Sequence, residues 1–197
     1  RTNTMFAGVD KPLRRILVTS ATPQEGKTTT TSNLAVVLAQ GEKKVVLIDA
    51  DLRRPQVHRR FGLRNHIGIS DLFLLMRPLE SLPRGIIQFV ENLKLAVITS
   101  GKTPPNPAEL MSSRKMTHFL DLLNAEYDLI LIDTPPVLSV TDAAVLAPHV
   151  DGVILVAKPG FTRLRDFQLA LEQLKTVDAR VLGVVLNEVN PRSRKYG

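Results

Sequence analysis

The sequence contains no cysteine, and that absence excludes disulfide scaffolds, thiolate zinc sites and cysteine nucleophiles. It also lacks any apolar run approaching ~18 residues, the length that an α-helix needs to cross a bilayer. The N-terminus is polar and has no long apolar core, so it does not resemble a secretory signal. Acidic side chains are the minority: 26 Lys and Arg stand against 19 Asp and Glu. The net charge of +7 suits an anionic partner, whether a nucleotide, a membrane surface or a nucleic acid.

What is present is an ordinary globular composition. Of the 197 residues, 44% are hydrophobic and 23% are charged, which argues against a disordered or fibrous chain. The length predicts one domain over residues 1–197. Because the first residue is Arg1 rather than Met, we expect this domain to be a segment of a longer polypeptide.

Short apolar runs alternate with helical patterns along the chain. Strands are predicted at residues 15–19, 44–48, 93–98, 129–132, 152–157 and 181–186, and helices at residues 26–39, at about residues 108–125, and around Phe167 and Leu174. Shorter helices, such as one at residues 70–76, are expected between residues 52 and 91. The strand runs are continuously apolar, which is typical of strands buried on both faces. The sequence therefore predicts a three-layer α/β fold with a mostly parallel central sheet and helices on both faces.

A phosphate-binding loop is predicted between the first strand and the first helix. Residues 21–28 read ATPQEGKT, which fits the P-loop pattern except that Ala21 replaces the first glycine. Backbone N–H groups of such a loop and of the following helix hold phosphate oxygens. The Lys27 ammonium would reach the β- and γ-phosphates, and the Thr28 hydroxyl would ligate Mg²⁺. The candidate nucleotide-binding residues are Pro23, Gln24, Glu25, Gly26, Lys27, Thr28 and Thr29.

Three aspartates follow hydrophobic strands at the sheet edge where α/β proteins bind ligands. Asp133 ends the run LILI as in a Walker B element, and Asp49 repeats the arrangement after VVLI. Asp51 lies two residues further and would point the same way as Asp49 in an extended chain. Two of these carboxylates suit a metal, and the third suits a general base for an attacking hydroxyl. For Asp51 the alternatives are a helix N-cap before residues 52–54 and a partner for the neighbouring arginines.

With these motifs, the chain resembles the cytoplasmic catalytic domain of the bacterial tyrosine kinases that serve capsular and exopolysaccharide synthesis and export. The likeness covers nearly the whole chain: the P-loop, VLIDADLRRP at residues 46–55, LILIDTPP at residues 129–136, GKTPPNPAEL at residues 101–110 and RTNTMF at residues 1–6. The P-loop combined with Asp-x-Asp-x-Arg is specific, whereas Gly-Lys-Thr alone is not.

The resemblance implies ATP-dependent tyrosine (auto)phosphorylation on a P-loop NTPase fold, with ATP and Mg²⁺ bound. Lys27 and Asp51 would be catalytic, Thr28, Asp49 and Asp133 would hold the metal, and Asn187 would recognise adenine; for Asn187 the alternative is a residue that closes the last strand. The implied partners are a membrane adaptor or co-polymerase, fused or separate, other copies of the chain acting in trans, and substrate tyrosines. The implied location is the cytoplasmic face of the cell membrane.

Two features depart from the family pattern. The family ends in a cluster of tyrosines, but here only Tyr196 lies in the tail, so either the cluster is missing from this segment or the chain phosphorylates another protein. Of the family's N-terminal oligomerisation motif, only its last Arg could be present, as Arg1. Tyr127 precedes a core strand and is expected to pack rather than to accept phosphate.

Two other functions compete with tyrosine transfer. A partition- or Min-type ATPase carries an extra lysine after the first P-loop glycine, where this chain has Thr22, although a regulatory ATPase without tyrosine transfer stays open. A nucleic-acid or lipid-binding module could use Arg53, Arg54, Arg59, Arg60 and Arg64. Aromatic residues are not interleaved with these arginines apart from Phe61, so we favour a solvated or partner-facing basic surface and expect no nucleic acid. The four histidines have no ligand spacing and predict no transition metal.

Overall fold

The computed structural model of the protein describes residues 12–73, 81–83 and 85–189. The strands are β1 Arg15–Ser20, β2 Val45–Asp49, β3 Ile87–Phe89, β4 Leu95–Ile98, β5 Leu129–Asp133, β6 Gly152–Ala157 and β7 Val181–Leu186. The α-helices are α1 Lys27–Ala39, α2 Val57–Phe61, α3 Pro107–Met111, α4 Arg114–Glu126, α5 Asp142–Leu146 and α6 Leu164–Thr176. Single 3₁₀ turns occupy Ile69–Phe73 and Ala147–His149.

These strands form one sheet in the order β3-β4-β2-β5-β1-β6-β7. All neighbours are parallel except β3, which runs antiparallel to β4 at the edge. Since successive residues of a strand face opposite sides, β1 supplies Ile16 and Val18 to one apolar core and Leu17 to the other. Helices α1 and α2 cover the first core, and α3 to α6 cover the second. The predicted three-layer α/β fold is confirmed.

Three local predictions need correction. The helix predicted at residues 108–125 is two helices, because the Ser113 side chain accepts a hydrogen bond from the Met116 N–H and starts a new one. The edge strand β3 was not predicted, since two half-exposed residues and one exposed residue give no periodic signal. The sequence pattern of the helix at residues 26–39 predicts that Leu34, Val37 and Leu38 share one side, but in α1 Val37 is exposed and Ala35 is buried with Leu38.

Several predictions fall on residues that the structure does not describe. They concern residues 1–6 with Arg1, residues 74–76 of the short helix, and the tail with Tyr196. Tyr127 is buried against the second core, as expected of a packing residue. Within the described ranges, no helix combines the length and the apolar character needed to span a bilayer.

Candidate active site

The P-loop turns sharply between β1 and α1. Gln24 and Gly26 both have positive φ, 67° and 88°. A Cβ on Gly26 would lie 1.8 Å from Nδ2 of Asn187, so the backbone conformation and the close approach both require glycine. Ala21 fits the first glycine position because the backbone there does not have a positive φ. Its methyl group is buried in the core, and its carbonyl accepts from the Leu138 N–H at 3.4 Å.

Glu25 holds the loop from inside. Its buried carboxylate accepts hydrogen bonds from the Thr22 N–H at 2.9 Å, the Thr22 hydroxyl at 3.1 Å and the Thr162 hydroxyl at 2.5 Å. Thr162 belongs to the segment between β6 and α6, and its Oγ1 also accepts from the Lys158 N–H at 2.8 Å. The Glu25 side chain therefore shapes the loop, and nucleotide contact through its backbone N–H stays a prediction.

The predicted carboxylates meet the P-loop at the carboxyl ends of β2 and β5. Asp49 and Asp133 occupy paired positions on these neighbouring strands. Asp133 accepts hydrogen bonds from the Thr28 hydroxyl at 2.6 Å and the Thr31 hydroxyl at 3.3 Å. Lys27 Nζ lies 2.8 Å from Asp51 Oδ2 and 4.0 Å from Asp133 Oδ2. The sequence prediction that these groups converge is therefore correct for the loop lysine, Thr28 and the aspartates.

Burial controls the electrostatics of this cluster. Burial raises the pKa of Asp49 well above its ordinary value, and the neighbouring Asp133 raises it further. Burial also raises the pKa of Asp133, against the opposing effects of Lys27 and the Thr28 hydrogen bond. Burial lowers the pKa of Lys27, but Asp133 and Asp51 outweigh it and the net pKa is raised. Lys27 is accordingly a fixed cation, which is what binding a polyphosphate requires.

Asp51 is held by contacts on two sides. Its Oδ1 accepts from the Arg54 N–H at 3.0 Å, while Oδ2 accepts from Lys27. Residues 52–54 are not helical and α2 begins only at Val57, so Asp51 closes a turn and is not a helix N-cap. The remaining alternative, a partner for the neighbouring arginines, has two contributions in the structure. The Arg54 N–H donates to Asp51. The hydrogen bond of Arg53 to Asp142 has the largest effect in raising the pKa of Arg53, and the Asp51 charge adds a smaller increase to that pKa.

The donor set suits a hard divalent cation. Asp49 Oδ2 accepts from the backbone N–H groups of Gln56 and Val57, while Oδ1 is buried without a hydrogen-bond partner among the described atoms. An orphaned carboxylate oxygen beside Asp133 and the Thr28 hydroxyl matches the all-oxygen ligands of Mg²⁺. No three His, Asp or Glu side chains in the described ranges are grouped as a metal site on their own. Mg²⁺ would therefore share its coordination with phosphate oxygens and water.

A pocket of about 700 Å³ opens over this cluster. It is lined by Pro23, Gln24, Gly26, Lys27, Thr28, Thr29, Asp51, Arg53, Arg54, Gln56, Arg59, Arg60, Pro135, Pro136, Ser139 and Val140. Of the predicted site residues, Glu25, Asp49, Asp133 and Asn187 are not in this lining. The two aspartates lie beneath it, within the buried cluster.

Asn187 follows β7 and packs against the P-loop instead. Its N–H donates to the Ala157 carbonyl at 2.8 Å, and its Nδ2 donates to the Glu25 carbonyl at 3.1 Å. Asn187 therefore both closes the strand and supports the loop next to Gly26. Recognition of adenine by this side chain stays a prediction.

Sequence reasoning missed three contacts that shape the site. Arg53 forms a two-pronged ion pair with buried Asp142, at 3.0 and 3.2 Å. Arg60 donates to the Thr29 hydroxyl and so joins α2 to the first turn of α1. The third contact is that of Thr162 with Glu25. These partners lie between 31 and 137 residues apart in the chain, so only the folded sheet reveals them.

The fold and site together define a nucleotide-binding protein of the P-loop NTPase class. The ParA family model, described as NUBPL iron-transfer P-loop NTPase, matches residues 13–193. The chain also resembles the septum site-determining protein MinD of Pyrococcus horikoshii OT3, solved with Mg-ADP, with a TM-score of 0.70 and 26% identity over 88% of this chain and 69% of that one.

Closer likenesses place the chain within one branch of this class. It is 44% identical to tyrosine-protein kinase YwqD of Bacillus subtilis (strain 168) over 95% of this chain and 77% of that protein. It superposes on the kinase domain of Escherichia coli tyrosine kinase ETK with a TM-score of 0.89 and 37% identity, covering 98% of this chain and 74% of that structure. The chain belongs to the bacterial tyrosine-protein kinases. It spans 26% of the length of the whole Escherichia coli (strain K12) tyrosine-protein kinase etk. The alternative of a Min-type ATPase has the weaker support, since the likeness to MinD has the lower identity and TM-score.

Proposed function

We propose that this chain transfers the γ-phosphate of Mg·ATP to tyrosine hydroxyls, with Lys27 and Asp51 as catalytic residues. The observation that carries the proposal is the position of Lys27 Nζ, 2.8 Å from Asp51 and 4.0 Å from Asp133, at the start of a P-loop helix. One ammonium group thus joins the phosphate-binding loop to the candidate base and to the candidate metal ligand.

The reaction needs positioning and charge neutralisation more than covalent chemistry. The tyrosine oxygen attacks the γ-phosphorus, the bond to the bridging oxygen breaks, and ADP leaves with that bonding pair. The tyrosine proton passes to the Asp51 carboxylate. Lys27 neutralises the developing negative charge on the phosphate oxygens, and the N–H groups of the loop hold the β-phosphate.

Thr28, Asp49 and Asp133 would hold Mg²⁺. When bound, the ion would neutralise charge between the β- and γ-phosphates. Asp133 positions Thr28 through their 2.6 Å hydrogen bond, and the buried Oδ1 of Asp49 is the carboxylate oxygen left without a protein donor. Asn187 would contact adenine through the amide oxygen, because its Nδ2 is engaged by the Glu25 carbonyl.

In the cell, we propose that residues 1–197 form one kinase domain that regulates exopolysaccharide or capsule synthesis and export. Support comes from the likeness to a protein named as a putative tyrosine-protein kinase in the cps region of Klebsiella pneumoniae, 33% identical over 198 residues. A membrane adaptor, fused or separate, would hold the domain at the cytoplasmic face of the membrane. Autophosphorylation would then occur in trans between copies.

Incubation of the chain with γ-labelled ATP and a tyrosine copolymer, followed by phosphotyrosine mapping, tests the proposal. Lys27→Met should abolish label transfer while circular dichroism shows an unchanged fold. Asp51→Asn should lower transfer by at least about a hundredfold, the usual range for a lost general base, with little change in melting temperature. Phosphate released to solvent with none on protein would instead support a regulatory ATPase. Label transfer by Lys27→Met would show that the site is misassigned.

A further inference from the structure

The pocket over the P-loop carries more positive charge than its own residues balance. Five cations line it, Lys27, Arg53, Arg54, Arg59 and Arg60, together with a single carboxylate, Asp51. Three of the cations have partners: Lys27 pairs with Asp51, Arg53 pairs with Asp142, and Arg60 donates to Thr29. The guanidinium groups of Arg54 and Arg59 are exposed and have no partner within the described part of the chain. The charge that needs an external anion is therefore concentrated on these two side chains.

These two arginines lie on the acceptor side of the pocket. The phosphate-binding wall is the P-loop, and Asp51 faces it through Lys27. The other oxygen of Asp51 accepts from the N–H of Arg54 at 3.0 Å, so Arg54 begins the wall behind the candidate base. Since a base must contact the hydroxyl from which it takes a proton, the acceptor has to approach along residues 51–60.

The remaining lining suits an aromatic ring. Pro135 and Pro136 follow Asp133, and Val140 lies on the same segment. These three residues supply apolar atoms to the lining that a flat side chain can contact, while Ser139 is the polar lining residue of this segment. The described lining contains no aromatic side chain, so it lacks the stacking platforms by which proteins hold nucleic-acid bases.

We propose that the pocket selects acceptor tyrosines that are flanked by acidic residues, with Arg54 and Arg59 binding the flanking carboxylates. This inference rests on the proposed tyrosine transfer and names its substrate class. Guanidinium groups form paired hydrogen bonds with carboxylates, so each arginine recognises a flanking Asp or Glu by geometry as well as by charge.

The test uses the full chain and three synthetic peptides of equal length with one tyrosine flanked by Glu, Gln or Lys. At saturating Mg·ATP, we expect kcat/KM for the Glu peptide to exceed that for the Gln peptide by about tenfold at low salt, and less as salt rises. Arg54→Glu and Arg59→Glu should each lower this ratio at least about threefold and favour the Lys peptide. Arg64→Glu is the matched control, because it makes the same charge change in the basic stretch of residues 53–64 at a residue that does not line the pocket.

Binding is measured separately with fluorescent peptides in which phenylalanine replaces tyrosine. Acidic preference in binding without any phosphate transfer would refute the kinase proposal and support only the recognition of acidic peptides by Arg54 and Arg59. Transfer to all three peptides at equal kcat/KM would overturn the inference and leave the kinase proposal standing. The inference would also be overturned if Arg64→Glu lost the Glu-to-Gln ratio. The same holds if an RNA oligonucleotide or phosphatidylglycerol vesicles displaced the acidic peptide more readily than a second acidic peptide does.

Discussion

Replacement of Gly26 by alanine tests the packing that sets the P-loop. At φ 88° a side chain costs about 1–2 kcal/mol of backbone strain. The new Cβ would also lie 1.8 Å from Asn187 Nδ2, forcing that amide away from the Glu25 carbonyl at a further cost of about 1 kcal/mol for the lost hydrogen bond. We therefore expect Gly26→Ala to lower the free energy of unfolding by about 2–3 kcal/mol.

The two contributions separate in a double-mutant cycle. In an Asn187→Ala background, the atom left nearest to the new Cβ is the Cβ of residue 187 at 3.7 Å, an ordinary contact. Gly26→Ala should then cost only the backbone strain, giving a coupling energy of about 1 kcal/mol. Urea denaturation without nucleotide is followed by far-ultraviolet circular dichroism, because the chain has no tryptophan. Equal costs in the two backgrounds would refute the close approach of Asn187 to Gly26.

Two further predictions concern buried carboxylates. Burial raises the pKa of Asp49, so the folded protein binds the Asp49 proton more tightly than the unfolded chain does. The stability that this proton contributes is present at low pH and is lost as the pH rises through the folded-state pKa. Asp49→Asn should therefore unfold at higher urea than the parent near about pH 7.5, and this advantage should shrink as the pH falls towards about 4, the ordinary pKa of an unfolded Asp. An advantage that stays constant over this range would contradict this reasoning. Thr162→Val removes a hydrogen-bond donor to the buried Glu25 carboxylate and should lower the free energy of unfolding by about 1–2 kcal/mol in the same assay. The control is Thr176→Val, an exposed helical residue, which should be nearly neutral. Equal effects of the two substitutions would show that the Thr162–Glu25 hydrogen bond does not stabilise the fold.

The sequence predicted the central strands because both of their faces are buried. Residues such as Leu47 and Leu131 belong to continuous apolar runs, and such runs have few interpretations in a globular chain. The short edge strand β3 has no comparable signal, since its residues are half-exposed or exposed and pair only with β4. The break between α3 and α4 depends on one serine cap, which a helical periodicity does not reveal.

The residues of the candidate site also divide into those that the sequence predicts and those that only the folded chain reveals. Lys27, Thr28 and the strand-end aspartates were predictable, because their positions follow from the motif and from the topology of a parallel sheet. The inward turn of Glu25 was not, because its Thr162 partner is 137 residues away. The arginines were predicted to form a basic surface, but their arrangement around the pocket depends on the turn that Asp51 closes.

The long sequence separations around the P-loop bear on how the protein is synthesised. The loop precedes two of its supports in the chain, because Thr162 and Asn187 lie 137 and 162 residues downstream of Glu25. Ribosomes release domains from the N-terminal end first, so a nascent chain carries the GKT motif long before it can brace the loop. Nucleotide retention would then begin only after β7 has emerged, and stalled or prematurely terminated products would carry the motif without the capacity to consume ATP.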